Sequence, residues 1–397
     1  VITNKGKEII AKYLLGTTPA YASYMAFGCG AKPLSSVNGY GTYDDYTELQ
    51  FEMFRVPISS RGYVKEDIGN NEFISKIVFT SELPTQERYE ITEIGIFPAG
   101  GNPSASGFDS RTLIAFAEEE QWQYLDTTVK PILTVNQPLD TPADDNIINT
   151  STADFTINNV ASLLPNVFQV SADNNIFFKT NRNTKNERCR YLNNMLLVKG
   201  NYSAIKDVVS ADLSTSNVLE NKNYIIKTGL NINLVQNSLS DKIKIAFSLI
   251  NKNATSYTNP GSLKIILEFI DSNGKYARSL ITVTNNAGGI DFSTNRYIVQ
   301  EKSLSDFTQQ TGFSWQYVNS LKIYSCVVTS NAVVDTHYIA FDAIRFDNIS
   351  TQNPLYGLVG YTVVKNTNGE AIAKSPNTNN YVEFRMALDV GIIGDIP

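Results

Sequence analysis

Residues 73–101 read FISKIVFTSELPTQERYEITEIGIFPAGG, and the first part of the chain is organised around them. Two β-rich runs flank the polar connection Ser81-Glu82-Leu83-Pro84. Ile74, Ile77 and Phe79 belong to the first, and Tyr89, Ile91, Ile94, Ile96 and Phe97 to the second. Alternating and β-branched residues bounded by Pro and Gly predict two strands paired with each other. Pro98-Ala99-Gly100-Gly101 closes the stretch. It has no nucleophile and no cluster of metal ligands, so it reads as scaffold and is expected to hold a subunit interface.

Working outward, residues 3–15 predict an amphipathic helix capped by Thr3 or Asn4, with Ile9, Ile10, Tyr13 and Leu14 on one face. A short strand from Ala22 to Phe27 ends in Gly28-Cys29-Gly30. The Gly28-x-Gly30 spacing lacks a third glycine and a following helix, so it does not predict a phosphate loop. Adjacent Asp44 and Asp45 lie in a polar loop, and Glu118-Glu119-Glu120 read as a solvated edge. Residues 136–153, NQPLDTPADDNIINTSTA, have linker composition and place a domain boundary near residue 150.

A chain of 397 residues predicts two or three domains. It has 21 Tyr and 20 Phe but only 18% charged residues, which suits a β-rich structural protein better than a helical enzyme. The net charge of −6 comes without a basic block and gives no electrostatic case for nucleic acid. Cys29, Cys189 and Cys326 are odd in number and far apart, which predicts reduced, partly buried thiols. No stretch of about 18 apolar residues predicts a membrane span, and no secretory leader is expected.

Residues 151–350 change character. Short strands at fairly even spacing, Lys242–Leu249, Leu263–Phe269, Leu321–Val328 and Tyr338–Phe346 among them, predict an antiparallel β-sandwich. Ser272-Asn273-Gly274 is a turn whose glycine takes a positive φ. Residues 351–397 predict two more strands that return to the first domain, which would make the sandwich an insertion. The predicted fold class is therefore mainly β: an amino-terminal α+β domain, one helix on an antiparallel sheet, plus a jelly-roll sandwich.

Three segments of the first domain carry a family resemblance. "KIVFTSELP…YEITEIGIF", Met25-Ala26-Phe27-Gly28-Cys29-Gly30 and Glu52-Met53-Phe54-Arg55-Val56-Pro57-Ile58 resemble strands of amino-terminal domains in bacteriophage tail, baseplate and collar-fibre proteins. The opening helix and the closing NTNNYVEFRMAL resemble the same proteins. The resemblance covers roughly residues 1–135. It implies a virion structural protein, assembled in the host cytoplasm, that acts through subunit interfaces and without catalysis. It further implies other virion proteins as partners and a homo-oligomer, with Arg55, Ile94, Ile96 and Phe97 at the docking face.

The second region resembles the jelly-roll of carbohydrate-binding modules. Tyr224-Ile225-Ile226-Lys227-Thr228-Gly229, Leu321-Lys322-Ile323-Tyr324 and Tyr338–Phe346 carry the likeness. It implies that Asp342 joins a structural Ca²⁺ site, although the family's second acidic neighbour is replaced by Ala343 and calcium takes several oxygens. Phe313, Trp315 and Tyr317 alternate, so in a strand they share one face. That face is either a glycan-stacking platform, with Trp315 and Tyr317 exposed, or sandwich core.

Catalytic signatures are sparse. His337 is the single histidine, which leaves no His-His metal site and one imidazole base. No G-x-S-x-G elbow accompanies it. Glu268, Asp271 and Glu301 are carboxylates that nothing in the sequence selects for glycoside cleavage. The expectation is a non-enzyme without cofactor. Its alternative function is a module binding cell-surface glycan.

Overall fold

The structure, a computed structural model, describes residues 2–16, 22–30, 44–69, 72–83, 89–98, 111–115, 168–170, 176–180, 194–227, 230, 242–251, 261–287, 292, 297–329, 332–333, 337–347, 358–364, 372–374 and 379–387. Helix α1 (Asn4–Leu14) is followed by β1 (Ala22–Gly28), β2 (Glu52–Pro57), β3 (Ser60–Gly69), β4 (Glu72–Glu82), β5 (Tyr89–Ile91) and β6 (Glu93–Pro98). Then come β7 (Arg111–Ala115), β8 (Phe168–Val170), β9 (Ile176–Thr180), β10 (Asn194–Lys199), β11 (Ile225–Lys227), β12 (Lys242–Asn251), β13 (Ser262–Asp271) and β14 (Tyr276–Thr284). The rest are β15 (Tyr297–Ser303), β16 (Thr308–Gln309), β17 (Val318–Thr329), β18 (Ala332–Val333), β19 (His337–Asp347), β20 (Gly360–Val363), β21 (Ile372–Lys374) and β22 (Tyr381–Ala387). The expected mainly β class holds, with one helix among the described residues.

The chain divides into two compact units, Val1–Asp109 with Gln352–Pro397, and Ser110–Thr351. The division falls at residue 109 rather than near 150. The reason is β7, which pairs with β19 from Ala343↔Ala115 to Asp347↔Arg111 and so belongs to the second unit. The expected linker at 136–153 and the acidic run at 118–120 lie outside the described residues.

In the first unit a four-stranded antiparallel sheet has the order β2-β1-β6-β20. The two runs of residues 73–101 form strands but do not pair with each other. β4 lies between β22 and β3, β5 pairs with β21, and β6 takes β1 and β20 as neighbours. Periodicity reports that a segment is a strand and which face it buries, not which strand it meets. β6 is buried along its whole length, so it needs neighbours on both edges and cover on both faces. Gly95 is required there: a Cβ would stand 2.5 Å from the Cδ1 atoms of both Leu49 and Leu358.

Helix α1 starts where expected. Its N-cap Thr3 accepts from the Gly6 amide at 2.9 Å, which satisfies one of the orphan donors of the first turn. Gly6 lets that turn close on the returning chain, since a Cβ would meet the Val359 carbonyl oxygen at 2.2 Å. Only Gly6 and Ile9 of the helix are buried. Tyr13 and Leu14, expected on the apolar face, are exposed, because the helix anchors by its first turns.

The second unit is a two-sheet antiparallel sandwich. One sheet runs β15-β12-β19-β10-β9 with β7 on β19, and the other β16-β14-β13-β17-β11-β8 with β18 on β17. Ile243, Ile245, Phe247 and Leu249 of β12 meet Leu263, Ile265, Leu267 and Phe269 of β13 in one core. Every second residue of each strand points inward, as the alternation requires. The turn at Ser272-Asn273-Gly274 has Gly274 at φ +73°. The Asp271 carboxylate closes it, accepting from the amides of Asn273 and Lys275 at 2.9 Å each.

Candidate functional site

The outward face of β13, β14 and β17 carries residues that a plain sandwich would leave to water. A strap, residues 200–224, crosses it. Ile205, Val208, Leu213 and Leu219 of the strap pack on Ile266, Tyr324 and Cys326 of the sheet. Where the strap ends its crossing, a polar cavity of about 380 Å³ remains, lined by Ser216, Asn217, Leu219 and Glu220 from above and by Glu268, Arg278, Lys322 and Tyr324 from the sheet.

Glu268 is the centre of this site, and strand register puts it there. On β13 it stands opposite Arg278 of β14 and opposite Lys322 of β17. Arg278 Nε donates to Glu268 Oε2 at 2.5 Å, and Lys322 Nζ lies 3.6 Å from Oε1. The Tyr324 hydroxyl donates to Oε1 at 3.4 Å. Burial first, and the Glu268 carboxylate after it, push the Tyr324 phenol well above its ordinary value, so it stays a neutral donor. Glu268 and Arg278 are both buried. Such a pair gains little net stability but leaves a costly bare charge if one partner is lost.

Arg278 also ties down the strap. Its Nη1 donates to the Leu213 and Thr215 carbonyls at 3.4 and 2.9 Å, and Nη2 to Ser216 at 3.4 Å. The guanidinium lies 3.7 Å from the centre of the Tyr276 ring, whose hydroxyl donates to the Ser214 carbonyl at 3.2 Å. A planar cation with five donors suits this shared duty. Lys322 is the most exposed of the three charged residues: its side chain is 23% exposed, and its ammonium sits 4.6 Å from the Tyr224 ring centre.

The residues singled out from sequence go elsewhere. Arg55, Ile94, Ile96 and Phe97 are all buried inside the first unit. Arg55 pairs with Glu52 at 2.5 Å and stacks 3.5 Å over Phe97. All four side chains are packed within the unit and offer no outward docking face. Trp315 and Tyr317 do not share a strand face. Residues 315–317 form a 3-10 turn, where Trp315 packs against Phe269, Phe307 and Phe313 and Tyr317 is exposed. The stacked platform therefore does not form.

Asp342 sits at a β-bulge between the Ala246↔Ala343 and Phe247↔Phe341 pairs, buried, and accepts from the Tyr297 hydroxyl at 2.7 Å. Among the described residues no three His, Cys, Asp or Glu side chains come together as a metal-holding group. His337 is buried on β19. Asp271 is engaged by its turn and by the Ser314 amide at 3.0 Å, and Glu301 pairs with Lys242 at 3.1 Å on the other sheet. Of the three carboxylates noted in the sequence, only Glu268 lines the cavity. Its cationic partners were missed, although strand alternation places Arg278, Lys322 and Glu268 on one face of adjacent strands.

No family model matches the chain, and no curated protein does. Among solved structures, an exo-beta-agarase matches at 10% identity and a TM-score of 0.26, over 45% of this chain and 24% of its own. A second agarase matches at 10% identity and 0.23, over 49% and 24%. A fructofuranosidase from Schwanniomyces occidentalis matches at 8% identity and 0.14, over 74% and 60%. The chain thus spans about a quarter of the agarases it matches. At these TM-scores none of them gives this chain its fold or a substrate. None of these is a tail, baseplate or collar protein, and the tail-protein resemblance is not borne out. The assembly role and virion setting that rested on that resemblance are not carried further.

Proposed function

We propose that the chain is a non-catalytic glycan-binding protein, and that its sandwich takes a short polar saccharide in the cavity beneath the strap. One observation carries this reading: Glu268, Arg278, Lys322 and Tyr324 converge on a cavity of about 380 Å³ whose far wall brings Ser216, Asn217 and Glu220. The volume falls in the range of small-ligand sites, roughly 300–1,000 Å³. A saccharide presents hydroxyls that both donate and accept, and a wall mixing carboxylate, ammonium, amide and hydroxyl groups meets both needs. The binding groups stand on three adjacent strands, which fix their spacing.

The same geometry favours binding over hydrolysis. Glycoside cleavage needs a carboxylic acid poised to protonate the leaving oxygen and a second carboxylate at a set distance. Both oxygens of Glu268 already face Arg278, Lys322 and Tyr324.

Titration calorimetry of the intact chain against a panel of neutral and acidic oligosaccharides tests the proposal. A saturable heat with at least one glycan, weakened tenfold or more by Lys322→Ala with an unchanged melting temperature, is the expected result. Absence of binding across the panel, or binding that Lys322→Ala leaves intact, overturns it. Reducing-sugar release from the bound glycan would overturn the non-catalytic part alone.

A further inference from the structure

β3 is an edge strand of a kind the rest of the molecule lacks among its described residues. It closes the sheet β22-β4-β3 and pairs only with β4. Residues 60–67 are exposed without a break. Because successive side chains point to opposite faces, this means that neither face of β3 is covered. Tyr63 is 65% and Val64 42% exposed at its middle. The strand is nonetheless well fixed from its inner side: the Tyr63 and Ser75 hydroxyls bond at 2.8 Å, Lys76 pairs with Glu66, and Arg61 Nε donates to the Ala22 carbonyl at 2.8 Å.

An ordered, uncovered edge is a template for another strand. Proteins that guard such an edge commonly do so with charge that repels a like strand. The charges of β3 do the opposite for a copy of itself. Arg61 stands near its start, Lys65 just past its middle, and Glu66 and Asp67 near its end. An antiparallel strand of the same sequence, turned about a two-fold axis through Val64, sets Arg61 of each copy opposite Asp67 of the other and Tyr63 opposite Lys65, all on one face of the sheet. Opposite charges then meet twice, and the exposed Val64 meets its own copy in the centre, with Tyr63 beside it against Lys65. Cross-strand pairs of both kinds are stabilising, and a two-fold contact is closed and self-limiting.

We propose that β3 is a homodimer interface, at which two copies of this chain join their three-stranded sheets edge to edge into one continuous sheet.

The test is light-scattering chromatography and sedimentation equilibrium of the full chain and of two charge variants. The wild-type chain is expected to be a dimer. Arg61→Glu alone puts like charges at both contacts, as does the double variant Glu66→Lys, Asp67→Lys. Each is expected to raise the dimer dissociation constant at least tenfold while melting as a folded protein. Mixed in equal amounts, the two variants have complementary charges at both contacts and are expected to form a heterodimer. A wild-type chain that stays monomeric at its highest soluble concentration overturns the proposal. So does a dimer indifferent to both variants, or variants that fail to associate when mixed. If the single variants melt early, the mixing experiment still decides, since only an edge-paired dimer is rescued by the complementary chain.

Discussion

The Tyr361 hydroxyl donates to Glu93 Oε2 at 2.8 Å, joining residues 268 positions apart. The same buried carboxylate accepts from the backbone amides of Gly30 at 3.2 Å, Gln50 at 3.0 Å and Phe51 at 2.8 Å. One side chain at the start of β6 thus fixes the end of β1, the entry to β2 and the returning strand β20. Tyr361→Phe removes one hydrogen bond to a charged group and is expected to cost about 1.5–3 kcal/mol. Glu93→Ala removes the acceptor that three backbone amides share and is expected to cost more. Calorimetric melting of both variants measures the order, and an equal or reversed order would show that the amides find other acceptors.

Gly95 carries a second test of the same sheet. A methyl group there overlaps Leu49 and Leu358. Overpacking of a tight core typically costs about 1–3 kcal/mol. Gly95→Ala is expected to lower the melting temperature of the first unit and to leave that of the second unchanged. A neutral Gly95→Ala would mean that the two leucines swing aside freely.

Arg278 holds the strap by three carbonyls and Glu268 by its carboxylate. Arg278→Met keeps an unbranched apolar stem but removes every one of these bonds. Amide hydrogen exchange over residues 210–220 is expected to speed up by tenfold or more, while the core strands β12 and β13 stay protected. Unchanged exchange in the strap would assign its anchoring to Ile205, Leu213 and Leu219 instead.

Cys326 lies under the same strap, and burial pushes its thiol up from 9.0 to about 11. The native thiol is therefore expected to resist a soluble alkylating reagent at pH 8, where thiolate is the reacting form. Between about pH 9 and 11 the unfolded chain loses this proton and the folded chain keeps it, so stability falls as pH rises through that window. Cys326→Ala is expected to flatten that part of the stability profile. Rapid labelling of Cys326 itself at pH 8, read by peptide mapping, would contradict the burial.

What was legible in the sequence was what periodicity and turn chemistry encode. The strands of the sandwich, the Gly274 turn and the start of α1 follow from local pattern. Pairing does not. Ile94 and Ile96 read as strand residues, but nothing local says that β6 meets β20 from the far end of the chain rather than β4 next to it. The same gap hid the candidate site. Glu268, Arg278 and Lys322 are each ordinary outward residues of a strand, and they become a cluster only when register sets them side by side. Phe313, Trp315 and Tyr317 failed for a local reason: alternation means a shared face only in an extended backbone, and residues 315–317 coil into a turn.

The long reach between Glu93 and Tyr361 also sets an order of events during synthesis. A ribosome adding about 5–20 residues per second delivers domains amino-terminal first. Here the first unit is begun early but cannot be finished early. From the time Glu93 emerges, the 268 positions to Tyr361 mean a wait of about 13–54 seconds. Throughout it, one edge of β6 lacks its final neighbour, and a buried carboxylate lacks its hydroxyl donor. The sandwich meanwhile has its whole sequence to hand before β20 exists. The sequence of the second unit is therefore complete before that of the first.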